Sequence, residues 1–78
     1  MMSEQEWLQM FSSNLASMLT ENWMTQADLA EESGISRATI NKYINGTQMP
    51  KASAIVNLAY ALHCDVSDLI DFGEMVEW

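Results

Sequence analysis

Basic residues are scarce in this chain. Three Lys and Arg stand against eleven Asp and Glu, and the formal net charge at pH 7 is −8. Non-specific nucleic-acid binding comes mostly from cations that meet phosphates, so the whole-chain charge argues against a nucleic-acid partner. A single cysteine excludes an internal disulfide and a cysteine-based zinc site, and it suits a reducing compartment.

Long apolar runs and targeting signals are also lacking. No apolar run approaches the roughly 18 residues of a membrane span, and the N-terminus has no basic start of the kind that opens a signal peptide. No stretch alternates with a period of two, and no repeat or linker interrupts the chain. We therefore expect a cytoplasmic, all-α protein whose 78 residues form one domain, with a core over about 4–72 and a C-terminal tail over 73–78.

Apolar residues recur every three or four positions along most of the chain, which is the spacing of helices with one buried face. Ser, Thr and Asp stand before these stretches, where their side chains can cap free backbone N–H groups. These signals predict five short helices: about Glu4 to Glu21, Gln26 to Glu32, a third after the cap Ser36 to about Ile44, a fourth starting at Pro50, and a fifth capped by Asp65 with Asp68.

The turn between the second and third predicted helices is the sharpest local signal. Glycine takes a positive φ without penalty, so Gly34 ends one helix and lets the chain turn within Ser33-Gly34-Ile35. A helix that enters the DNA major groove needs such a turn, because its N-terminal residues must face base edges while a partner helix crosses behind it. Ala30, Ile35 and Ile40 supply the small apolar contacts between the two helices.

The charges are distributed unevenly. Between Ser33 and Cys64 the chain carries Arg37, Lys42 and Lys51 but no Asp or Glu. This stretch therefore holds +3, whereas the flanks hold all eleven carboxylates. If a polyanion contacts only one face of the protein, the position of the protein's charges matters more than their sum.

The exposed side of the third helix offers groups that fit DNA. Arg37 matches guanine O6 and N7, Ala38 fits a thymine methyl group, and Lys42 reaches guanine or phosphate. Gln26 begins the second helix, where free backbone N–H groups and a polar side chain suit a phosphate. The predicted DNA-contacting residues are Gln26, Arg37, Ala38, Thr39, Asn41, Lys42, Asn45 and Lys51.

The segment from Thr25 to Pro50, with the apolar pattern from Ile55 to Ile70, resembles the Cro/C1-type (XRE-type) helix-turn-helix family. The likeness extends over about Asn14 to Ile70. It implies a compact five-helix, lambda-repressor-like domain with the helix-turn-helix at helices two and three. Members usually bind near-palindromic operators as two-fold dimers. Family positions used for DNA contacts fall on Gln26, Arg37, Ala38, Thr39, Lys42 and Asn45.

One departure from the family concerns an ion pair. Members usually have Glu near the end of helix three, commonly paired with Arg in helix one. Here Ile44 stands at that position, and the first helix contains no Arg or Lys. We expect an apolar contact in place of the pair, since such a replacement can be neutral or stabilising. It also removes a positive charge near the DNA.

His63 and Cys64 are adjacent, but no second pair of ligands accompanies them, so no metal site is expected. The resemblance places His63 at a helix-ending position usually held by Gly, and His tolerates left-handed geometry better than most residues. It places Cys64 at a buried apolar position. Nothing resembles a catalytic spacing, and neither enzymatic activity nor a cofactor is expected.

The sequence predicts a sequence-specific DNA-binding transcriptional regulator, a repressor of phage or mobile-element type that binds a near-palindromic operator in double-stranded DNA as a homodimer. The alternative is a protein-interaction module on the same fold, antitoxin-like or anti-repressor, that uses the acidic first helix and tail. Trp23 stands in a connector and Trp78 ends the C-terminal tail, and two roles stay open for them. Either the tail folds back on its own subunit, or these residues form a dimer contact.

The shortage of cations predicts weak binding to random DNA. A homodimer doubles the three cations of the chain, and if about four of them touch phosphate, log K falls against log salt with a slope of only about −3 to −4. Neutral donors provide the other phosphate contacts. Electrophoretic shifts on a random-sequence duplex test this, and a shift that persists undiminished at about 200 mM salt contradicts it.

Overall fold

Five α-helices make up most of the described chain. The computed structural model describes residues 2–71, and its helices are α1 (Glu4–Glu21), α2 (Gln26–Ser33), α3 (Arg37–Asn45), α4 (Ala52–Ala61) and α5 (Val66–Leu69). No strand occurs within 2–71, so the all-α, five-helix prediction is confirmed for this range. The predicted tail over 73–78, with Trp78, lies outside the described residues. None of the described helices is long and apolar enough to cross a membrane.

Capping boxes begin the first two helices. The Ser3 hydroxyl accepts from the backbone N–H of Glu6 at 3.1 Å, and the Glu6 carboxylate accepts from the backbone N–H of Ser3 at 3.2 Å. Thr25 and Asp28 form the same reciprocal pair at 3.1 and 3.0 Å, which confirms the predicted cap of α2. Each box satisfies two backbone donors that a helix start leaves free.

The boxes also shift the titration of their carboxyl groups. Hydrogen bonds from the backbone and then the hydroxyl of Ser3 lower the pKa of Glu6, and those of Thr25 lower the pKa of Asp28 in the same way. A carboxyl whose pKa is lower in the folded state stabilises that state above the unfolded pKa. The contribution is lost as the pH falls through the folded pKa.

The predicted start of the fourth helix at Pro50 is wrong by two residues. α4 begins at Ala52, and its N-cap is Lys51 with an extended backbone, φ −75° and ψ 159°. Proline lacks an N–H and fits the first turn of a helix, but it does not force a helix to start there. Because Lys51 stays extended, Pro50 is left in the preceding loop, where it is buried.

The main contacts between helices close a ring that runs from α1 to α3, α2, α4, α5 and back to α1. α3 therefore lies between α1 and α2, and both set its position. The core is inside this ring. Its large, fully buried side chains are Phe11, Leu15, Leu29, Ile40, Leu58, Leu62 and Leu69.

Aromatic contacts join α1 to α3. Trp7 stacks on Phe11 with ring centroids 5.4 Å apart and an interplanar angle of 10°. Phe11 meets Tyr43 edge to face at 6.1 Å and 80°. Such pairs contribute about 0.5–1.5 kcal/mol beyond the area they bury. Trp7 is half-buried against the core.

The end of α3 is tied to α1 without charges. Ile44 is half-buried against the core, so an apolar contact stands where the resemblance suggested an ion pair. Beside it, the buried Ser12 donates its hydroxyl to the backbone carbonyl of Tyr43 at 2.6 Å. The same carbonyl also accepts from the Gly46 N–H at the C-cap, at 3.2 Å, so Ser12 adds a second donor that comes from α1.

The Ser12 bond predicts a measurable loss of stability. Ser12→Ala should lower the free energy of unfolding by about 0.5–1.5 kcal/mol, the usual net value of such a bond. The melting temperature of a domain of this size then falls by about 4–8 °C per kcal/mol. Ser13→Ala is the control, because Ser13 is exposed on the same helix. Equal melting temperatures for the two variants would show that the bond contributes nothing.

Candidate nucleic-acid interface

The turn between α2 and α3 has the predicted geometry. Gly34 ends α2 in the left-handed conformation, φ 76° and ψ 10°, and its N–H donates to the Ala30 carbonyl at 3.0 Å. A Cβ atom at Gly34 would meet nothing within 4 Å, so glycine is favoured by its φ angle and not by crowding. The Ser36 hydroxyl then accepts from the Thr39 N–H at 3.2 Å and caps α3. The prediction for this turn is confirmed.

α3 has one buried and one exposed face. Ile40 and Tyr43 face the core with 0% and 4% of their surface exposed. Thr39 is half-buried, and its hydroxyl oxygen accepts from the Ser36 hydroxyl at 2.9 Å, within the cap. The outward residues begin at the first turn and continue to the end of the helix: Arg37, Ala38, Asn41, Lys42 and Asn45.

Side-chain amides link the outward face of α3 to the start of α2. The Asn45 amide nitrogen Nδ2 donates to the Asn41 oxygen Oδ1 at 2.9 Å. Asn41 Nδ2 in turn donates to the Gln26 oxygen Oε1 at 3.5 Å, a long and weak contact. Both oxygens are thus used as acceptors within this amide chain, defined as Gln26, Asn41 and Asn45. The amide N–H groups and the Asn45 oxygen are what the chain has left to offer to a ligand.

Lys51 stands apart from that group. It is exposed at the N-cap of α4, and its side chain makes no capping bond. The main contacts of α4 are with α2 and α5 and not with α3. The structure therefore brings Gln26, Asn41 and Asn45 together and leaves Lys51 at the end of the loop that follows α3.

A capped helix, a glycine turn and a second helix with an outward polar face together form a helix-turn-helix. Residues 14–74 match the sequence profile described as the Cro/C1-type HTH DNA-binding domain. This chain belongs to the Cro/C1-type family. Curated protein sequences give no match to it.

Two solved structures are similar to this Cro/C1-type domain. One is the crystal structure of the restriction-modification controller protein C.AhdI from Aeromonas hydrophila, with 27% identity and a TM-score of 0.77 over 80% of this chain and 94% of that chain. The other is the solution structure of the SOS-response transcriptional repressor LexA from Eubacterium rectale, with 27% identity and a TM-score of 0.82 over 99% of this chain and 82% of that chain.

The turn after α4 in this Cro/C1-type domain holds the adjacent His63 and Cys64. His63 has a φ of 55°, the left-handed geometry expected at its position. Cys64 is half-buried against the core, and burial, followed by the nearby Asp68 and Asp65, raises the pKa of its thiol. A protonated thiol is a poor nucleophile and a poor metal ligand. Among residues 2–71, no three or more His, Cys, Asp or Glu are grouped to hold a metal ion.

Two exposed side chains, Val56 and Tyr60, were not anticipated from the sequence, whereas Trp23 was noted but given no single role. Trp23 is 94% exposed, and Tyr60 and Val56 on α4 are 82% and 55% exposed. Val56 and Tyr60 are four residues apart, so they share one face of the helix. The spacing of Ile55, Leu58, Ala59 and Leu62 predicts the inward face of this helix, and the structure confirms it, because the last three are buried and Ile55 packs against the core.

Proposed function

We propose that this domain is a sequence-specific transcriptional regulator, a repressor of phage or mobile-element type that binds a near-palindromic operator as a homodimer. The observation that carries the proposal is the outward face of α3, which presents Arg37 and Lys42 and is joined to the start of α2 by the amide chain. The structural neighbours, a restriction-modification controller protein and an SOS-response repressor, support a regulatory role.

Base reading falls to the first half of α3. Arg37 and Ala38 are exposed in its first turn and Lys42 lies beyond them, so all three can reach into a major groove. Arg37 pairs with guanine O6 and N7, Ala38 contacts a thymine methyl group, and Lys42 meets guanine or phosphate. The remaining contacts position the protein on phosphates: Gln26, Thr39, Asn41, Asn45 and Lys51.

The homodimer requires a surface on which two acidic chains can meet. We assign it to the outward face of α4, which carries Val56 and Tyr60 and belongs to the acid-free stretch from Ser33 to Cys64. Two copies of α4 packed antiparallel place Val56 of each against Tyr60 of the other. A two-fold contact of this kind is self-complementary.

An acidic groove supports a second candidate function. Carboxylates of α2 and the exposed His63 surround a cavity of about 450 Å³. Such a surface suits a basic segment of another protein, as expected of an antitoxin-like or anti-repressor module. The residues that line this groove are Asn22, Met24, Asp28, Glu31, Glu32 and His63.

Removing both cations of α3 distinguishes the DNA-binding regulator from the protein-interaction module. Arg37→Ala with Lys42→Ala should weaken binding to a duplex selected by the unaltered chain from a random library by about 30-fold or more, since each contact to a base contributes about 1–3 kcal/mol. Fluorescence anisotropy measures the loss. Glu31→Gln with Glu32→Gln is the matched control, because it alters the acidic groove and leaves α3 untouched. Undiminished DNA binding by the first variant would reject the regulator and favour the protein-interaction module.

Tyr60→Glu tests the dimer surface. It places a carboxylate against the apolar Val56 of the other copy, where burying an unpaired charge is costly, so we expect a monomeric mass by analytical ultracentrifugation. Ser17→Glu adds the same charge at an exposed position on α1 and should leave the mass unchanged. Deletion of residues 75–78 tests the alternative contact through the tail. A dimeric Tyr60→Glu variant would rule out the α4 surface.

A further inference from the structure

Trp23, in the loop between α1 and α2, is unfavourable for stability in two ways. Its φ is 55°, a left-handed geometry that brings the Cβ atom of an L-residue close to the following carbonyl. Its side chain is 94% exposed, so a large apolar ring lies in water. Glycine at this position would avoid both costs. A left-handed backbone geometry that does not stabilise the fold points to a function for the side chain.

The loop leads directly to the proposed DNA-facing edge. The backbone N–H groups of Trp23 and Met24 donate to carbonyls in the last turn of α1 at 3.2 and 3.0 Å, which fixes the loop. Three residues further on is Gln26, whose side chain lies 3.5 Å from Asn41 of α3. Three residues span at most about 10 Å, so the indole is within reach of the same DNA backbone.

We infer that Trp23 contacts the DNA backbone at the edge of the major-groove site, an assignment that rests on the proposed function. The ring would pack on a deoxyribose, and the indole Nε1–H would donate to a phosphate oxygen, since Trp is a donor only. The chain has three cations, so uncharged donors must provide much of its phosphate binding. The indole N–H would add one uncharged donor to the amide N–H groups of Gln26, Asn41 and Asn45.

His63 provides a matched control for the strain at Trp23. It is the other non-glycine residue with a positive φ among residues 2–71, and its φ has the same value of 55°. It is exposed in the turn between α4 and α5 and lines the acidic groove instead of the outward face of α3. Replacing either residue by glycine relieves the same backbone geometry, but one replacement alone removes the proposed contact.

The test compares Trp23→Gly and His63→Gly on a duplex that the unaltered chain selects from a random library. Trp23→Gly should bind about three- to tenfold more weakly, the range expected for one hydrogen bond and its packing. Its slope of log K against log salt should stay unchanged, because no charge is removed. The melting temperature of both variants should stay equal or rise, by up to about 8 °C. His63→Gly should keep the affinity of the unaltered chain.

Trp23→Phe separates the ring from its donor. It keeps an aromatic ring in the same backbone geometry but lacks the N–H, so its affinity should fall between those of the unaltered chain and Trp23→Gly. Full affinity for Trp23→Phe would overturn the phosphate bond. Sedimentation of Trp23→Gly should show the same mass as the unaltered chain, and a changed mass would assign the indole to a protein contact instead.

Other outcomes also decide the assignment. Undiminished binding by Trp23→Gly overturns it, as does an equal loss in Trp23→Gly and His63→Gly, which would indicate a general effect of loop flexibility. A lower melting temperature for Trp23→Gly would show that the indole stabilises the fold, and would likewise overturn it. If no duplex is enriched at the selection step, the proposed function fails before any variant is compared, and the contact fails with it.

Discussion

The packing of α3 between α1 and α2 determines where every proposed base contact points. Tyr43 meets Phe11 edge to face, and the carbonyl of Tyr43 accepts the Ser12 hydroxyl at 2.6 Å. Protein interiors are close-packed, so α3 cannot rotate about its axis without opening voids on its buried face. The outward direction of Arg37 is therefore a consequence of what the opposite side of the helix buries. The same packing works without an ion pair, because Ile44 packs against the core at the position where family members usually have Glu.

Charge then divides the ring of helices into two kinds of surface. α1, α2 and α5 carry the carboxylates of the described residues that lie in helices, whereas α3 and α4 contain none. The two acid-free helices are the ones that we assign to DNA and to a second copy of the chain. The acidic α2 packs against both of them. Repulsion from the flanks limits the ways in which DNA or another subunit can approach.

Local signals predicted the fold well because each one acts within a few residues. Gly34, Ser36 and the Thr25–Asp28 box determine their own backbone geometry, and the structure has it as expected. Pro50 misled because a residue that tolerates a helix start does not compel one. The amide chain could not be predicted, since it joins residues 15 positions apart across two helices. The inward face of α4 was predictable from the three- and four-residue spacing of Ile55, Leu58, Ala59 and Leu62, but no local signal says what covers Val56 and Tyr60 on the other face.

The predicted weak binding to random DNA and the exposure of Trp23 and Tyr60 have one physical explanation. Few cations mean little release of counterions, so the free energy of binding must come from hydrogen bonds and packing that need the correct sequence and geometry. Groups suited to such contacts lower the stability of the isolated subunit. The indole of Trp23 and the ring of Tyr60 both lie in water there. In the proposed DNA-bound dimer, covering them would stabilise the folded state by mass action. Selectivity and stability would then rise together when the correct site is occupied.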